Sequence, residues 1–163
     1  MKKIAAICHG NILRSQVLDL FLKYQSQRSS LDLDVYSAGI APEEFYPHTK
    51  QLLAEIECEL KRRGVFLSPE RKIWNLETER KVLESNVIIA ADEETRKTVL
   101  ELLKNKEHPP VYTFYGFIGE GEKDFKDTYD RSTRRQDPVL FKNAFDELWR
   151  ISSKILDIIL DKA

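Results

Sequence analysis

The feature that most constrains this chain is an apolar strand-like run that leads into a short polar loop and then into a helix. Ile4 to Ile7 is apolar throughout, the loop runs from Cys8 to Ser15, and a helical pattern begins at Gln16. A strand, a loop and a helix in this order form the first half of a β-α-β unit. Ligands of such folds bind at the carboxyl ends of the strands, which is where this loop lies.

The loop carries a thiol and a guanidinium separated by five residues. Cys8 lies at a strand end that faces a helix N-terminus, an environment that stabilises a thiolate. Backbone N–H groups of such a loop can bind an anion. Arg14 supplies a rigid fork of donors that matches two phosphate oxygens. These residues therefore predict a nucleophile beside a phosphate cradle.

Strand-like and helical segments alternate along the rest of the chain. The expected strands are 2–7, 33–38, 86–91 and 111–115, the expected helices are 16–29, 48–63, 93–105 and 138–162, and 68–84 holds one or two short helices. This alternation predicts an α/β fold, a three-layer sandwich in which a four-stranded parallel sheet is flanked by helices. We expect one domain over residues 1–163, with a long loop or insertion at 116–136.

The overall composition argues against several classes of function. The 26 basic and 27 acidic residues give a net charge of −1, so neither nucleic acid nor a membrane is an expected partner. The two cysteines, Cys8 and Cys58, do not indicate a disulfide scaffold, and no run resembles a secretory leader or a membrane span. We expect a cytoplasmic protein that uses neither a cofactor nor a metal.

Five segments together carry a resemblance to a known family. The octapeptide Cys8–Ser15 has the form Cys-x5-Arg-Ser near the N-terminus, Ser37–Gly39 follows the second strand, and Arg62–Val65 ends a helix. Val87–Asp92 ends the third strand, and Asp137-Pro138 precedes the last helix. The set resembles the low-molecular-weight protein tyrosine phosphatase family.

The resemblance implies a role for three residues in catalysis. Cys8 would attack phosphorus and form a cysteinyl-phosphate, and Arg14 would bind the phosphoryl oxygens. Asp137 would protonate the leaving oxygen and then activate water. Three other aspartates of the long loop are rival acids, but the proline and the helix after Asp137 favour that residue. The rivals are Asp124, Asp127 and Asp130.

The resemblance also implies which residues surround the substrate. Asn11, Ser15 and Ser37 would form a hydrogen-bond network that holds the loop. An aromatic wall for a phenyl ring would come from Phe141, or from Phe45 and Tyr46. The full set expected to bind substrate is His9, Gly10, Asn11, Ile12, Leu13, Ser15, Ser37, Phe45, Tyr46 and Phe141.

The predicted function is hydrolysis of a phosphomonoester on a phosphorylated protein or a small aryl phosphate, with phosphotyrosine as the preferred group. Ile12 resembles tyrosine-specific members, because threonine there marks the arginine-phosphate branch. Leu13 replaces a second cysteine, so a disulfide within the loop cannot form. Two alternatives stay open: an arsenate reductase, which needs two further cysteines where only Cys58 is available, and an anion-binding module without turnover.

Overall fold

The computed structural model describes residues 1–41, 48–130 and 132–161. The elements in chain order are β1 (Lys2–Cys8), α1 (Arg14–Arg28), β2 (Leu33–Gly39), α2 (Thr49–Arg62), α3 (Leu76–Leu83), β3 (Val87–Ala90), α4 (Glu93–Leu102), β4 (Val111–Thr113), α5 (Phe114–Phe117), β5 (Tyr129–Asp130), β6 (Arg135–Gln136) and α6 (Pro138–Asp161).

Four strands form one parallel sheet in the order β2-β1-β3-β4. The predicted α/β fold, with a four-stranded parallel sheet flanked by helices, is confirmed. Cys8 at the end of β1 lies opposite Gly39 of β2, and Ile7 lies opposite Ala90 of β3. Because β1 is flanked by β2 and β3, whatever follows Cys8 emerges between the ends of two neighbouring strands.

The sheet divides the core into two layers, as the alternation of side chains along a strand requires. Ile4 and Ala6 of β1 belong to one cluster, and Ala5 and Ile7 belong to the other. The first cluster contains the apolar faces of α1, α2 and α6, and the second contains residues of α3 and α4. Helices therefore cover both faces, which is the arrangement that a parallel sheet needs.

Helix α1 is buried on almost every side of its first two turns. Its Phe21 ring meets Phe145 and Trp149 of α6 edge to face, with ring centroids 6.3 Å and 5.1 Å apart. The loop that precedes α1 is thus attached to a helix held between the sheet and α6, which fixes its position.

The segment after β4 departs from the prediction. The strand expected to reach residue 115 ends at Thr113, because the Thr113 hydroxyl accepts a hydrogen bond from the Gly116 N–H and starts α5. The loop expected over 116–136 contains the small antiparallel hairpin of β5 and β6. Among the described residues, no helix has both the length and the apolar character needed to cross a membrane.

Candidate active site

The Cys8 loop (residues 8–15) turns from the end of β1 into α1. Asn11 adopts a left-handed conformation with φ of 51°, which asparagine tolerates better than most residues. Gly39 lies directly against the loop, since a Cβ there would be 2.6 Å from the Gly10 carbonyl carbon and 2.8 Å from the Asn11 nitrogen. Only glycine fits at this position without moving the loop.

The Cys8 thiol is surrounded by hydrogen-bonding groups of its own loop. The Asn11 N–H donates to Sγ at 3.1 Å, and the Ser15 hydroxyl lies 3.0 Å from Sγ. Ser15 Oγ already accepts from Asn11 Nδ2 at 2.8 Å, so its own proton is free to point at the sulfur. Both contacts favour a negatively charged sulfur.

Ser15 reaches the thiol because it lies inside the first turn of α1. The sequence places Ser15 where an N-cap belongs, but α1 begins at Arg14 and Leu13 occupies the cap position without a side-chain hydrogen bond. Ser15 is therefore not the N-cap of α1, and its hydroxyl contacts the thiol instead.

The Asn11 side chain links the loop to a neighbouring segment of chain. Its Oδ1 accepts from the backbone N–H of Lys72 at 2.7 Å, which can only donate and so fixes the orientation of the amide. Gln16 Nε2 bonds Asn11 at 3.3 Å and the Glu70 carbonyl at 2.7 Å. Residues 70–72 and Gln16 therefore brace the loop from behind.

A narrow cavity of about 20 Å³ lies in front of the thiol. It is lined by Cys8, Gly10, Ile12, Leu13, Arg14, Asp127, Tyr129 and Gln136. In the described part of the chain, the backbone N–H groups of Gly10, Ile12 and Leu13 donate to no other protein atom. Such a group of N–H donors is suited to an anion.

Arg14 is buried and points its guanidinium at this cavity. Nη1 donates to Asp92 at 2.6 Å and to the Phe125 carbonyl at 2.9 Å, and Nη2 lies 3.4 Å from Asp127 Oδ2. Burial alone would lower the pKa of Arg14, but the charges of Cys8, Asp127 and Asp92 outweigh burial and raise it. The guanidinium thus stays charged where an incoming anion would lie.

Asp92 has two roles at the end of β3. It caps α4 by accepting from the Thr95 N–H at 2.8 Å, and it also holds Arg14. Burial would raise the pKa of Asp92, but Arg14 and the Thr95 hydrogen bonds together lower it. Its position at the edge of the sheet beside Cys8 was the sequence signal for this second role.

Of the four aspartates in the loop before α6, Asp127 is the one that lines the Cys8 cavity. Asp124 accepts from the Glu93 N–H, and Asp130 accepts from the N–H groups of the turn that follows it. Asp137 caps α6 by accepting from the N–H groups of Val139 and Leu140 at 3.0 Å and 3.1 Å. Asp137 does not line the Cys8 cavity itself but lines the adjoining cavity, together with Asp92 and Asp127.

Asp127 is brought to the cavity by contacts on both sides of it. The Phe125 N–H donates to the Ala91 carbonyl at 2.8 Å, which ties this segment to the end of β3. On the other side, Tyr129 pairs with Gln136 in the hairpin. This position was hard to predict from the sequence, because Tyr129 and Gln136 reach the cavity through that pairing.

Several other predicted site residues lie elsewhere. The Ser37 hydroxyl donates to Asp19 of α1 at 2.7 Å. Ser37 was expected in the hydrogen-bond network of Asn11, but its hydroxyl bonds to Asp19 instead. Phe141 packs on Phe145, with centroids 5.2 Å apart, and lines a separate cavity beside α2. Phe45 and Tyr46 lie outside the described residues. His9 is half-buried, and its carbonyl accepts from the Ala41 N–H.

No cluster of metal-ligating side chains occurs within residues 1–41, 48–130 and 132–161. Cys58 is an exposed free thiol on α2 and does not line the Cys8 cavity. The site therefore offers an isolated thiol, a guanidinium, a carboxylate and a set of N–H donors, which is the equipment of a cysteine-dependent phosphatase.

Comparison with known proteins supports this class. The sequence profile of the low molecular weight phosphotyrosine protein phosphatase family matches residues 3–162, so the chain belongs to that family of phosphatases. No curated protein matches the chain at a significant level.

Solved structures share the fold at low sequence identity. A low molecular weight protein tyrosine phosphatase from T. tengcongensis is 20% identical, with a TM-score of 0.72 over 96% of this chain and 99% of that one. The YwlE arginine phosphatase, in a mutant with a phosphorylated active-site serine, is 17% identical, with a TM-score of 0.74 over 96% and 95%. The Drosophila arginine phosphatase DARP is 18% identical, with a TM-score of 0.73 over 98% of both chains.

Proposed function

We propose that the protein hydrolyses phosphomonoesters through a cysteinyl-phosphate, with phosphotyrosine in a protein as its preferred substrate. The observation that carries this proposal is the Cys8 thiol, which two hydrogen-bonding groups contact at 3.0 Å and 3.1 Å in a cavity shared with Arg14. The unpaired N–H groups of Gly10, Ile12 and Leu13 supply the phosphate cradle.

In the first step, Cys8 Sγ attacks phosphorus and the bond to the ester oxygen breaks. Arg14 and the loop N–H groups bind the three remaining phosphoryl oxygens, where negative charge is concentrated. Asp127 donates its proton to the departing oxygen. This assigns the general acid to Asp127 in place of Asp137, because Asp127 lines the cavity and Asp137 caps a helix.

In the second step, water attacks the cysteinyl-phosphate and the S–P bond breaks. Asp127, now ionised, accepts a proton from that water, and inorganic phosphate leaves. Ser15 donates to the departing sulfur from 3.0 Å, so the same hydroxyl that favours the thiolate before attack also assists its release. No external reductant or metal enters either step.

Two side chains are candidate carriers of the phosphoryl group, tyrosine and arginine. The second candidate, phosphoarginine, is favoured by the similarity to YwlE and DARP, both of which are arginine phosphatases. Phosphotyrosine is favoured by Tyr129, whose aromatic ring belongs to the cavity lining, and by Ile12 in the loop. We place phosphotyrosine first because an aromatic side chain at the cavity can pack against a phenyl ring.

The test is hydrolysis of para-nitrophenyl phosphate at mildly acidic pH, with EDTA present, by the wild type and by Cys8→Ser. We expect turnover by the wild type alone. Peptides carrying phosphotyrosine, phosphoserine or phosphoarginine then rank the substrates, and a preference for phosphoarginine would promote the second candidate. Equal rates for wild type and Cys8→Ser would leave only the anion-binding module.

An arsenate reductase is disfavoured by the position of Cys58. Relay of a disulfide needs a thiol that can reach Cys8, and Cys58 lies on α2 and lines a different cavity. We further propose that residues 1–163 act as one catalytic domain in the cytoplasm, where thiols stay reduced.

A further inference from the structure

A second and larger cavity, of about 750 Å³, lies between α2, the β5–β6 hairpin and the start of α6. We name it the α2–hairpin cavity. Part of its lining is apolar, with Leu52 of α2 and with Pro138 and Phe141 of α6. A cavity of this size can hold several side chains of a peptide, which distinguishes it from the narrow Cys8 cavity.

The charged groups around the α2–hairpin cavity are predominantly basic. The cations are Arg62, Arg134, Arg135 and Lys142, and the carboxylates are Glu55 and Glu59. Glu59 is neutralised, since Arg62 and Arg63 lie 3.2 Å and 3.1 Å from its oxygens. Within the described residues, Arg134, Arg135 and Lys142 have no carboxylate in salt-bridge range. Three cations are therefore available to a ligand.

Two of these cations lie on the β5–β6 hairpin, where backbone hydrogen bonds hold them. The Arg134 N–H donates to the Asp130 carbonyl at 2.7 Å, and the Asp130 carboxylate accepts from the Ser132 N–H at 2.8 Å. The backbone of Arg135 pairs with the backbone of Asp130 in the two-stranded hairpin. A fixed turn loses less conformational entropy on binding than a flexible loop does.

The α2–hairpin cavity adjoins the active site, with one residue in common. Gln136 lines both this cavity and the Cys8 cavity. Thr128 Oγ1 donates to Gln136 Oε1 at 2.5 Å, so Gln136 is held in place between them. A polypeptide whose phosphorylated side chain enters the Cys8 cavity would therefore pass directly by the basic residues.

We propose that the α2–hairpin cavity is a substrate subsite that binds acidic side chains adjacent to the phosphorylated residue of a protein. This inference rests on the proposed function, because it takes the Cys8 cavity as the place of the phosphoryl group. The apolar part of the cavity accommodates the aliphatic portion of the peptide, and the three free cations contact its carboxylates.

The experiment measures equilibrium binding of fluorescent peptides to Cys8→Ser, which does not require turnover. Two phosphotyrosine peptides of equal length are compared, one with Asp and Glu beside the phosphotyrosine and one with Asn and Gln. We expect the acidic peptide to bind about three- to tenfold more tightly at low salt, with the preference shrinking as salt is raised.

Two double variants on the Cys8→Ser background localise the effect. Arg134→Gln with Lys142→Gln should abolish the preference for the acidic peptide. Lys2→Gln with Lys97→Gln changes the net charge equally at exposed positions outside this cavity, and should keep the preference. The readout is the ratio of the two dissociation constants within each variant, which a loss of folded protein does not move.

Three results would overturn the subsite: equal affinity for the two peptides, a preference that survives Arg134→Gln with Lys142→Gln, or equally tight binding of the acidic peptide without its phosphate. The proposed function is tested separately, by measuring hydrolysis of para-nitrophenyl phosphate by the wild type. If the wild type turns over substrate but shows no preference for the acidic peptide, the proposed function stands and the subsite is wrong. If the preference is present but the wild type has no turnover, the cavity binds acidic peptides and the proposed function is wrong.

Discussion

Two walls face each other across the Cys8 cavity, and they are held by different kinds of contact. The Cys8 loop is buried, and its key hydrogen bonds join residues only three to seven positions apart. The opposite wall, which we call the acid segment (residues 124–137), is largely exposed and depends on Ala91 and on its own hairpin for its position. The hydrogen bonds of the thiol itself are thus local, although Gly39 and residues 70–72 support the loop, while Asp127 is positioned by distant parts of the chain.

The two walls meet at Arg14, which belongs to the loop but bonds to the Phe125 carbonyl and lies near Asp127. Asp92 is the third partner and comes from neither wall. A contiguous motif can therefore define the site of a nucleophile, whereas the identity of the proton donor depends on which carboxylate the tertiary structure brings next to it.

The largest expected effect comes from removing the nucleophile of the loop. Cys8→Ser should reduce turnover of para-nitrophenyl phosphate to background, because an alcohol at this position is far less ionised than a thiol. Phosphate binding should persist, since Arg14 and the N–H donors remain. A stopped assay measures the turnover, and a titration with inorganic phosphate measures the binding. Substantial turnover by Cys8→Ser would show that the loop does not supply the nucleophile.

Gly39→Ala tests how tightly the loop is confined from behind. The new Cβ would lie 2.6 Å from backbone of Gly10, which cannot rotate away, so we expect a loss of about 1–3 kcal/mol of stability and a fall of at least about tenfold in kcat/KM.

Gly64→Ala is the matched control for this change. Gly64 has φ of 80° and open space around it, so alanine should cost about 1 kcal/mol of stability and leave kcat/KM unchanged. Equal losses of activity in both variants, measured below their melting temperatures, would mean that close contact with the loop is not what matters.

Asp92→Asn probes the residue that connects the walls. Asparagine is also a good N-cap, so α4 should remain capped while Arg14 loses the charge that orients it. We expect kcat/KM to fall about 10- to 100-fold, as displacement of a binding group by about 1 Å can cost. Asp130→Asn, at a carboxylate that caps only its own turn, should stay near the wild-type value.

The pH dependence of stability gives a second readout of Asp92. Its pKa is lowered in the folded protein, so its stabilising effect is complete above its unfolded value of about 4 and is lost as the pH falls through the lower folded value. Acid titration of the unfolding free energy below about pH 4 should therefore be less steep for Asp92→Asn. An identical slope would indicate that the Arg14 pair does not contribute.

The smallest effect is expected from the brace behind the loop. Gln16→Leu removes the donor to the Glu70 carbonyl and to Asn11, and loss of such hydrogen bonds costs about 1 kcal/mol. For a protein of this size the melting temperature should fall by about 2–4 °C per kcal/mol, with kcat/KM reduced only a few-fold. No change in melting temperature would show that residues 70–72 brace the loop without Gln16.

The sheet and its flanking helices could be predicted because apolar periodicity reports on local burial. Strand β1 and the Cys8 loop are contiguous, so spacing alone placed Cys8 and Arg14 together. Ser15 stands at the position of an N-cap if the helix starts at Gln16, but α1 begins two residues earlier, at Arg14, and its N-cap is Leu13. A difference of one or two residues in the start of a helix is smaller than a sequence pattern can define.

The expected acid, Asp137, and the proposed acid, Asp127, differ for a physical reason. Asp137 stands before a proline and a long helix, features that fit both an N-cap and a catalytic motif, and the structure uses it as the cap. Asp127 carries no local sign of its role. Its place depends on Phe125, which packs among Phe114 and Tyr115, and on a hairpin of two-residue strands too short to show a pattern.

The most direct test of this account compares Asp127→Asn and Asp137→Asn across aryl phosphates of increasing leaving-group pKa. A general acid contributes about 10²–10⁴-fold, and its removal hurts poor leaving groups most. For Asp127→Asn we predict that the loss of kcat/KM grows along the series and reaches about 10⁴-fold for the poorest leaving group. For Asp137→Asn we predict a kcat/KM within about threefold of the wild-type value throughout, because asparagine still caps α6. A steep loss in Asp137→Asn with a flat response in Asp127→Asn would contradict the account.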